Sequence, residues 1–367
     1  MQTGPDPAFV QLLTADGRRV EHPDFAYSGD DASIAAHLRA MVLARRLDAE
    51  ATALQRKGQL ALWPPSLGQE AAQVGSAAAC RPLDEVIPSY REHAVALARG
   101  VRPLELLGTF RGTSMVDWDS RALRFHLYSF VIGAQALHAT GIAHALRLDG
   151  SVGTGDPERD AAAIVYFGDG ATSQGDVSEA FVFAASYTAP LVFFCQNNQY
   201  AISVPIETQS RIPLYRRASG FGIPSVRVDG NDVLACQAVT EWALDRARRG
   251  EGPTFVEAYT YRMGAHTTSD DPTKYRGRDE EASWRARDPI ERVRTYLRDA
   301  GAIDATWEGH LANEADALAE EVREGVPALP DPELADWFTR AYARTPLALL
   351  REREEHLAYE ASFEETA

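Results

Sequence analysis

The stretch 162–204 constrains the fold of this chain more than any other part of its sequence. Its two short runs at 162–167 and 191–195 are apolar throughout. Runs without polar alternation are typical of strands in a parallel sheet that is covered on both faces. Between the two runs, apolar residues recur at helical spacing and would form one stripe on a helix: Val177, Ala180, Phe181, Ala184 and Ala185. The pattern predicts a strand–helix–strand unit of a parallel sheet.

A polar turn follows each of the two predicted strands. Gly168, Asp169 and Gly170 come directly after the first strand, and Asn197 and Asn198 come after the second. A strand–helix–strand unit is right-handed and parallel, so both turns emerge at the same edge of the sheet. That edge is where ligands bind in open α/β sheets. The glycines would let the backbone approach a ligand closely, because they lack a Cβ atom.

The residue types at this edge suit a magnesium ion that holds a diphosphate. Asp169 offers a carboxylate oxygen, Asn198 an amide oxygen and Tyr200 a peptide carbonyl. Diphosphate oxygens and water would complete the octahedron that Mg²⁺ requires. A helix predicted to begin near Ala171 would direct its N-terminal N–H groups to the same place, where negative charge is favoured. A Gly-Asp-Gly sequence alone is more often a simple tight turn, but the second strand and its Asn-Asn pair favour the diphosphate–metal interpretation.

The longer strings GDGATSQGD and NNQYAIS, at 168–176 and 197–203, allow a family comparison. They resemble the thiamine diphosphate motif of the α subunit of the E1 component of 2-oxo acid dehydrogenase complexes. The resemblance covers about 38–278 and extends more weakly to the C-terminus. It implies an α/β thiamine diphosphate-binding fold, with a central, mostly parallel sheet flanked by helices and a helical C-terminal extension. It also implies thiamine diphosphate and Mg²⁺ as cofactors.

The resemblance implies further contacts to the cofactor. The Tyr90-Arg91 pair resembles a family motif whose arginine contacts the diphosphate, and the planar guanidinium group suits phosphate oxygens. Ile132 stands where a large apolar side chain would support the bent cofactor. His266 lies in a loop that resembles the active-site loop of the family, whose histidine meets the diphosphate and the incoming substrate. We therefore predict His266 as the catalytic residue; the alternatives for Arg91 and His266 are ordinary exposed loop residues. The predicted cofactor-binding residues are Tyr90, Arg91, Ile132, Gly168, Asp169, Gly170, Ala171, Asn198, Tyr200 and His266, with Asp169, Asn198 and Tyr200 as metal ligands.

Other segments match the family less closely. In relatives, the loop that contains Leu62 and Trp63 borders the substrate channel, so these two residues are candidates for the pocket wall, with ordinary packing as an equal alternative. Segment 108–127 departs from the family pattern, and no role is carried over to it. Phe130 stands where relatives have serine or glycine. Thr267 matches a serine that is phosphorylated in mitochondrial relatives, which does not establish regulation here.

The composition excludes several classes of partner. The net charge of −16 argues against nucleic acid or an anionic membrane as a partner. No apolar run reaches membrane-spanning length. The cysteines Cys80, Cys195 and Cys236 sit among apolar residues without metal-ligand spacing, which favours buried thiols in a reducing compartment. The N-terminus resembles neither a signal peptide nor a presequence. Together with the cysteines, it predicts a cytoplasmic protein.

The predicted organisation has three parts. Residues 1–30 form an N-terminal arm, 31–325 the α/β domain that binds the diphosphate side of the cofactor, and 326–367 a helical C-terminal extension. Apolar spacing predicts helices outside the central unit at 32–57, 131–147, 289–300, 310–324 and 329–360.

The resemblance also implies a reaction and partners. The chain would act in the oxidative decarboxylation of a 2-oxo acid and the reductive acylation of the lipoyl domain of the E2 component. The carboxylate that activates the pyrimidine ring would come from an E1 β subunit in an α₂β₂ assembly. A branched-chain 2-oxo acid is slightly favoured over pyruvate, with acetoin behind. The other hypotheses are a self-contained thiamine enzyme of the transketolase or decarboxylase type, and a structural subunit with a decayed site.

Overall fold

A computed structural model describes residues 9–113, 118–339 and 342–364. The start of the predicted N-terminal arm, residues 1–8, and part of the divergent segment, residues 114–117, lie outside the described residues. The strands are β1 Phe9–Val10, β2 Glu85–Ile87, β3 Ala163–Gly168, β4 Leu191–Asn197, β5 Tyr200–Ala201, β6 Val204–Pro205, β7 Ser225–Asp229 and β8 Thr254–Tyr259. The helices are α1 Asp31–Arg56, α2 Glu70–Ala78, α3 His93–Ala98, α4 Pro103–Arg111, α5 Ser120–Leu123, α6 Ala134–Leu148, α7 Gly175–Ser186, α8 Ile206–Gln209, α9 Tyr215–Ser219, α10 Val233–Arg248, α11 Arg278–Arg285, α12 Pro289–Asp299, α13 Ala305–Ala328 and α14 Leu347–Glu364.

The described residues contain a central parallel sheet whose strand order is β1-β7-β8-β4-β3-β2. Gly168 at the end of β3 pairs with Gln196 of β4, and Asn197 pairs with Tyr259 at the end of β8. The carboxyl ends of β2, β3, β4 and β8 therefore lie side by side at one edge. The predicted α/β fold class, with its mostly parallel sheet, is confirmed. β5 and β6 form a small separate hairpin.

Helices cover both faces of the sheet. One face packs against α1, α2 and α10, and the other packs against α6, α7 and α9. Along β3, Ile164 and Tyr166 point into the first layer, whereas Val165 and Phe167 point into the second. Successive side chains of a strand face opposite sides, so a strand buried on both faces is apolar throughout. The uniform apolar runs of the sequence have this physical origin.

Two predicted helices are wrong in detail. Asp169–Ser173 is a 3₁₀ turn, and α7 begins only at Gly175. Gln174 interrupts the helix with an extended backbone of φ −83° and ψ 142°. The helix predicted over 329–360 is also wrong, because a 3₁₀ turn at Leu334–Phe338 precedes α14. The prolines at 330, 332 and 346 account for that break, since proline disfavours a helical residue before it.

The chain termini attach to the core to different extents. β1 adds to the edge of the sheet beside β7, and the N–H groups of Leu12 and Leu13 donate to the buried carboxylate of Asp232. α13 packs along α1, whereas α14 contacts chiefly the 3₁₀ turn at Leu334–Phe338. Within the part of the chain that the structure describes, no helix combines the length and the apolar character needed to cross a bilayer.

Candidate functional site

A cavity of about 280 Å³ opens at the sheet edge where β2, β3, β4 and β8 end. The turns that follow these strands form most of its wall. It is lined by Gln69, Ser89, Tyr90, Arg91, Glu92, Ile132, Gly168, Asp169, Gly170, Ala171, Gln174, Gln196, Asn198, Tyr200, Ala201, Ile202 and His266. All ten residues predicted to bind a cofactor are in this lining. The structure brings them together, while their contacts with a cofactor stay a prediction.

Three oxygen atoms converge inside the cavity. The side-chain oxygen of Asn198 lies 3.3 Å from Oδ1 of Asp169 and 3.1 Å from the carbonyl oxygen of Tyr200. All three atoms are acceptors, so they repel one another unless a cation lies between them or the Asn198 amide turns. In an octahedral site with Mg–O bonds of about 2.1 Å, neighbouring ligand oxygens are about 3 Å apart. The spacing of the three oxygens therefore fits a magnesium ion.

The site fits a cation only in one of the two orientations of the Asn198 amide. Turning the amide by half a rotation would direct Nδ2 toward Asp169 and Tyr200 and would remove the clash of acceptors. A cation selects the orientation with oxygen inward. The described residues contain no group of three or more His, Cys, Asp and Glu side chains suited to a metal. The candidate metal centre uses one carboxylate, one amide and one carbonyl instead.

Asp169 is almost completely buried, and neighbouring groups offset part of the cost of burying its charge. Burial raises the pKa of its carboxyl to about 6, and the hydrogen bond from Gln209 and the charge of Arg262 oppose that rise. The donor is Nε2 of Gln209, 3.0 Å from Oδ2 of Asp169. Gln209 ends α8, well separated from β3 in the sequence, and the sequence analysis did not identify it.

The two glycines beside Asp169 have different roles. A Cβ atom at Gly170 would lie 2.7 Å from Cβ of Ala201, so this turn can pack against β5 only with glycine. A Cβ atom at Gly168 would meet no other atom within 4 Å. Gly168 lines the cavity, so its missing side chain leaves the backbone open to a ligand.

Arg91, also in the lining, connects two loops. Its Nη1 donates to the carbonyl oxygen of Pro65 at 2.6 Å. Its Nη2 donates to the carbonyl oxygen of His266 at 2.9 Å and lies 3.2 Å from Nδ1 of the same residue. The guanidinium group therefore holds the His266 loop against the loop before α2. The predicted contact of Arg91 with phosphate stays a prediction.

The protonation of His266 follows from its neighbours. Guanidinium groups only donate hydrogen bonds, so Nδ1 must accept from Arg91 and the proton of the neutral ring must lie on Nε2. Burial, reinforced by the charges of Arg91 and Arg262, lowers the pKa of His266 to about 3. Its backbone N–H is fixed by the carboxylate of Asp270 at 2.7 Å. His266 is thus a neutral hydrogen-bond donor at physiological pH.

Arg262 is a further cation beside the cavity. It is fully buried, and its Nη1 donates to the carbonyl oxygen of Tyr200 at 3.0 Å. Its Nη2 donates to the carbonyl oxygen of Ile202 and to the hydroxyl of Tyr275. Burial lowers the pKa of its guanidinium group, and the charge of Arg91 adds to that effect. In the sequence, the only signal for a role of Arg262 is its position after β8, and the sequence analysis assigns no role to this residue.

Glu92 is a buried carboxylate that the sequence analysis passed over. Its Oε1 accepts from Nε2 of Gln196 at 2.6 Å, and its Oε2 accepts from the backbone N–H of Ser89 at 2.7 Å and from that of Arg91 at 3.3 Å. Burial raises its pKa. Glu92 therefore fixes the backbone that carries the Tyr90-Arg91 pair.

Aromatic side chains lie in the cavity lining and beside it. The ring of Tyr90 meets that of His266 edge-on, with centroids 6.3 Å apart. Phe130 lies parallel to Tyr90 at 6.0 Å and is 55% exposed. Ile132 projects from the start of the segment before α6 into the lining. A large apolar surface therefore borders the polar floor of the site.

The two candidates for the substrate wall lie elsewhere. Leu62 and Trp63 are not part of the cavity lining. Trp63 is fully buried; its indole ring stacks on His93 at 4.1 Å, and its Nε1 donates to Asp48 at 2.9 Å. The structure thus packs Trp63 behind the loop of Pro65, in agreement with the packing alternative. A substrate contact by either residue stays a prediction.

The lining as a whole fits a magnesium-bound diphosphate. The Asn198 oxygen stands at octahedral spacing from the oxygens of Asp169 and Tyr200, Gly168 leaves backbone accessible, and Arg91 brings a positive charge to the lining. In addition, Nε2 of Gln69 is a buried donor that finds no hydrogen-bond partner within the described part of the chain. Buried donors are rarely left unpaired, so this atom also indicates an anionic or polar ligand.

Comparison with known proteins agrees with this site. Residues 38–335 match the family described as "Dehydrogenase E1 component". The chain is 43% identical to 3-methyl-2-oxobutanoate dehydrogenase subunit alpha of Mycobacterium tuberculosis over 353 residues, which are 94% of this chain and 92% of the relative. It is 37% identical to pyruvate dehydrogenase E1 component subunit alpha of Acholeplasma laidlawii, over 87% of this chain and 91% of the relative. The Staphylococcus aureus protein of the same name is 38% identical, over 84% and 81% respectively.

Proposed function

The chain belongs to the dehydrogenase E1 component family as the alpha subunit of a 2-oxo acid dehydrogenase, and we propose that its substrate is a branched-chain 2-oxo acid. Enzymes of this family depend on thiamine diphosphate. We further propose Mg²⁺ as the ion that holds the diphosphate. The convergence of the oxygens of Asp169, Asn198 and Tyr200 beside the Gly168 turn is the observation that carries this proposal.

The branched-chain substrate is supported by similarity over nearly the whole chain. The relative named 3-methyl-2-oxobutanoate dehydrogenase is 43% identical over 94% of the chain. The two pyruvate dehydrogenase relatives are 37% and 38% identical over shorter stretches. The exposed aromatic ring of Phe130 stacks on Tyr90 of the cavity lining and adds apolar surface beside it, which suits an aliphatic side chain. Pyruvate is the alternative substrate.

In this proposal the chain positions the cofactor and stabilises charge. When bound, thiamine diphosphate supplies the electron sink that allows loss of CO₂ from a 2-oxo acid. Asp169, Asn198 and the carbonyl of Tyr200 would hold the magnesium ion. Arg91 lines the same cavity and would balance the charge of the diphosphate. Ile132 would support the cofactor from below.

His266 would act as a neutral donor. Its Nδ1 is occupied by Arg91, which leaves Nε2–H to donate toward an oxygen of the substrate. A donor held in this way stabilises negative charge that develops on that oxygen. Burial and the charges of Arg91 and Arg262 lower its pKa to about 3, which favours the neutral ring.

The proposed partners are an E1 β subunit in an α₂β₂ assembly and the lipoyl domain of E2. In the described residues, the only carboxylates of the cavity lining belong to Asp169 and Glu92. Glu92 already accepts hydrogen bonds from Gln196, Ser89 and Arg91. Neither carboxylate is left for the pyrimidine ring, which supports its activation by a second chain. A cytoplasmic location is also proposed, and the unpaired thiols are compatible with it.

Co-expression with a β subunit tests the function. The assembled enzyme should decarboxylate branched-chain 2-oxo acids with a higher kcat/KM than pyruvate, in an assay with an artificial electron acceptor. A preference for pyruvate would overturn the substrate. Decarboxylation by the chain alone would instead indicate a self-contained thiamine enzyme and would overturn the subunit assignment. Failure of the assembly to bind thiamine diphosphate with Mg²⁺ would indicate a decayed site.

A further inference from the structure

Gln69 stands between α2 and the proposed metal centre. Its side chain is 1% exposed, and its Oε1 accepts a hydrogen bond from Nδ2 of Asn198 at 3.1 Å. Its Nε2 is buried and has no hydrogen-bond partner among the described residues. The residue lines the same cavity as Asp169 and Asn198. It therefore touches a predicted metal ligand with one atom and leaves a second polar atom unsatisfied.

The position of Gln69 is fixed by backbone contacts. The preceding residue, Gly68, has a φ of +94°, and a Cβ atom there would lie 2.4 Å from the carbonyl oxygen of Tyr261. The carbonyl oxygens of Gly68 and Leu67 accept hydrogen bonds from Oγ1 of Thr260 and N–H of Met263. The loop before α2 is thus held tightly against the segment that follows β8, and Gln69 has little freedom to move away.

Capping of α2 does not explain the side chain. Gln69 occupies the N-cap position of α2, but its side chain makes no hydrogen bond to the backbone of the first turn. Side-chain capping is the usual structural role at that position. Its amide points to Asn198 instead, 129 residues further along the chain.

The amides of Gln69 and Asn198 determine each other's orientation. While Oε1 of Gln69 accepts from Asn198, the side-chain oxygen of Asn198 must face Asp169 and Tyr200. The reverse orientation of Asn198 would bring its oxygen against Oε1 of Gln69, so Gln69 would have to turn as well. Residues that orient a metal ligand in this way typically change metal affinity 10- to 100-fold when they are substituted.

We propose that Gln69 is a positioning residue that holds the Asn198 amide oxygen toward the metal ion and donates its free Nε2–H to the diphosphate or to a metal-bound water. The proposal rests on the proposed function, because it requires a metal–diphosphate ligand in this cavity. It assigns Gln69 two separable tasks: orientation of Asn198 through Oε1 and recognition of the ligand through Nε2.

Two substitutions separate these tasks in the assembled E1 enzyme. Gln69→Leu removes both the acceptor and the donor. Gln69→Glu keeps an acceptor for Nδ2 of Asn198 but removes the donor.

Quenching of intrinsic fluorescence measures binding of thiamine diphosphate at saturating Mg²⁺, and a titration of Mg²⁺ at saturating thiamine diphosphate measures the metal requirement. Gln237→Leu is the matched control, since Gln237 lies on α10, outside the cavity lining, and its Nε2 donates to Oε1 of Glu241 at 2.7 Å.

Gln69→Leu should raise the half-saturating Mg²⁺ concentration about 10- to 100-fold and weaken cofactor binding. Gln69→Glu should restore the Mg²⁺ requirement to within about threefold of wild type, while cofactor binding stays about tenfold weaker. If both variants match wild type in both titrations, the proposal is overturned. A Gln69→Glu enzyme that binds the cofactor as wild type does would overturn the donor task, even if Gln69→Leu does not fold. Absence of Mg²⁺-dependent binding in wild type would refute the proposed function instead.

Discussion

At the scale of single residues, the orientation of Asn198 has the clearest physical meaning. With its oxygen inward, Asn198 has two other acceptor atoms about 3 Å away, which costs free energy without a cation, and a buried site cannot relieve the cost with bulk water. Asp169 adds a carboxylate that is itself almost fully buried. A cation between these atoms converts mutual repulsion into coordination.

Substitution of Asp169 should separate the ligand role from packing. Asp169→Ala removes the carboxylate and should weaken Mg²⁺-dependent binding of thiamine diphosphate more than about 100-fold, beyond the effect typical of residues that only orient a ligand. Asp169→Asn keeps one oxygen and should weaken binding less. Isothermal titration calorimetry on the assembled enzyme measures both. Full affinity in both variants would contradict the ligand role of Asp169.

His266 should contribute to turnover more than to cofactor affinity. His266→Ala removes the Nε2–H donor, and loss of one positioned donor typically lowers kcat about 10²- to 10³-fold. The expected loss is in reductive acylation of the lipoyl domain, followed by mass spectrometry of that domain, with thermal stability unchanged. His310→Ala, at an exposed position of α13, is the control. Unchanged turnover in His266→Ala would exclude the residue from the mechanism.

The residues of the site differ in how far sequence predicts them. Asp169 and Asn198 follow apolar strands directly, so strand order alone places them at one edge. Gln69, Gln209 and Arg262 reach the site from a loop, a short helix and the segment after β8, and only tertiary packing brings them there. Trp63 shows the opposite case, because an aromatic residue in a loop signals packing and a pocket wall equally well.

At the scale of elements, the parallel sheet was predictable because each of its strands and helices has its own apolar pattern in the sequence. A strand buried on both faces must be apolar throughout, and a helix between two such strands must be amphipathic. Helix ends were less predictable. The 3₁₀ turn at Asp169–Ser173 replaces the first helical turn that was predicted near Ala171, and Thr172 stabilises it by donating to the carbonyl oxygen of Asp169 at 2.7 Å.

His93, at the start of α3, should make stability sensitive to acid. It is fully buried, with Nε2 donating to the carbonyl oxygen of Pro64 at 2.9 Å and Nδ1 accepting from the Tyr128 hydroxyl at 3.0 Å. Burial lowers its pKa to about 3. Below the unfolded-state pKa of about 6.5, the unfolded chain binds a proton that the folded chain refuses, so stability falls as pH falls.

The contribution of His93 lowers the free energy of unfolding at pH 5.5 by about 1.4 kcal/mol relative to pH 7.5. The contribution of Asp48 to stability changes with pH in the opposite direction. Burial raises the pKa of Asp48 to about 7, so its contribution to stability falls as pH rises. The comparison of wild type with His93→Gln isolates the histidine. Urea unfolding at both pH values should show a smaller pH dependence in the variant by about 1 kcal/mol. Equal pH dependence in the two proteins would contradict a buried neutral His93.

At the scale of the whole molecule, the proposed boundary near residue 325 lies inside α13. Val322 and Val326 of this helix belong to the main hydrophobic core, and Arg323 pairs with Glu50 of α1. α14, in contrast, contacts chiefly the turn at Leu334–Phe338. We therefore expect the fold to depend on α13 more than on α14.

Truncation tests this division. Deletion of residues 343–367 should change the free energy of unfolding by less than about 0.5 kcal/mol, as is usual for surface changes. Deletion from residue 319 onward should destabilise the chain by several kcal/mol, since it removes buried valines of the core, and burial of each contributes about 1.5–3 kcal/mol. Thermal unfolding followed by circular dichroism distinguishes the two. Equal destabilisation by both deletions would place α14 in the core.

The location of the bound cation tests the central claim most directly. Crystals of the assembled enzyme with thiamine diphosphate and Mn²⁺ in place of Mg²⁺ would reveal the ion by anomalous scattering. The account predicts a peak within about 2.3 Å of Oδ1 of Asp169, the side-chain oxygen of Asn198 and the carbonyl oxygen of Tyr200. A peak elsewhere, or bound cofactor with no cation between these three oxygens, would contradict it.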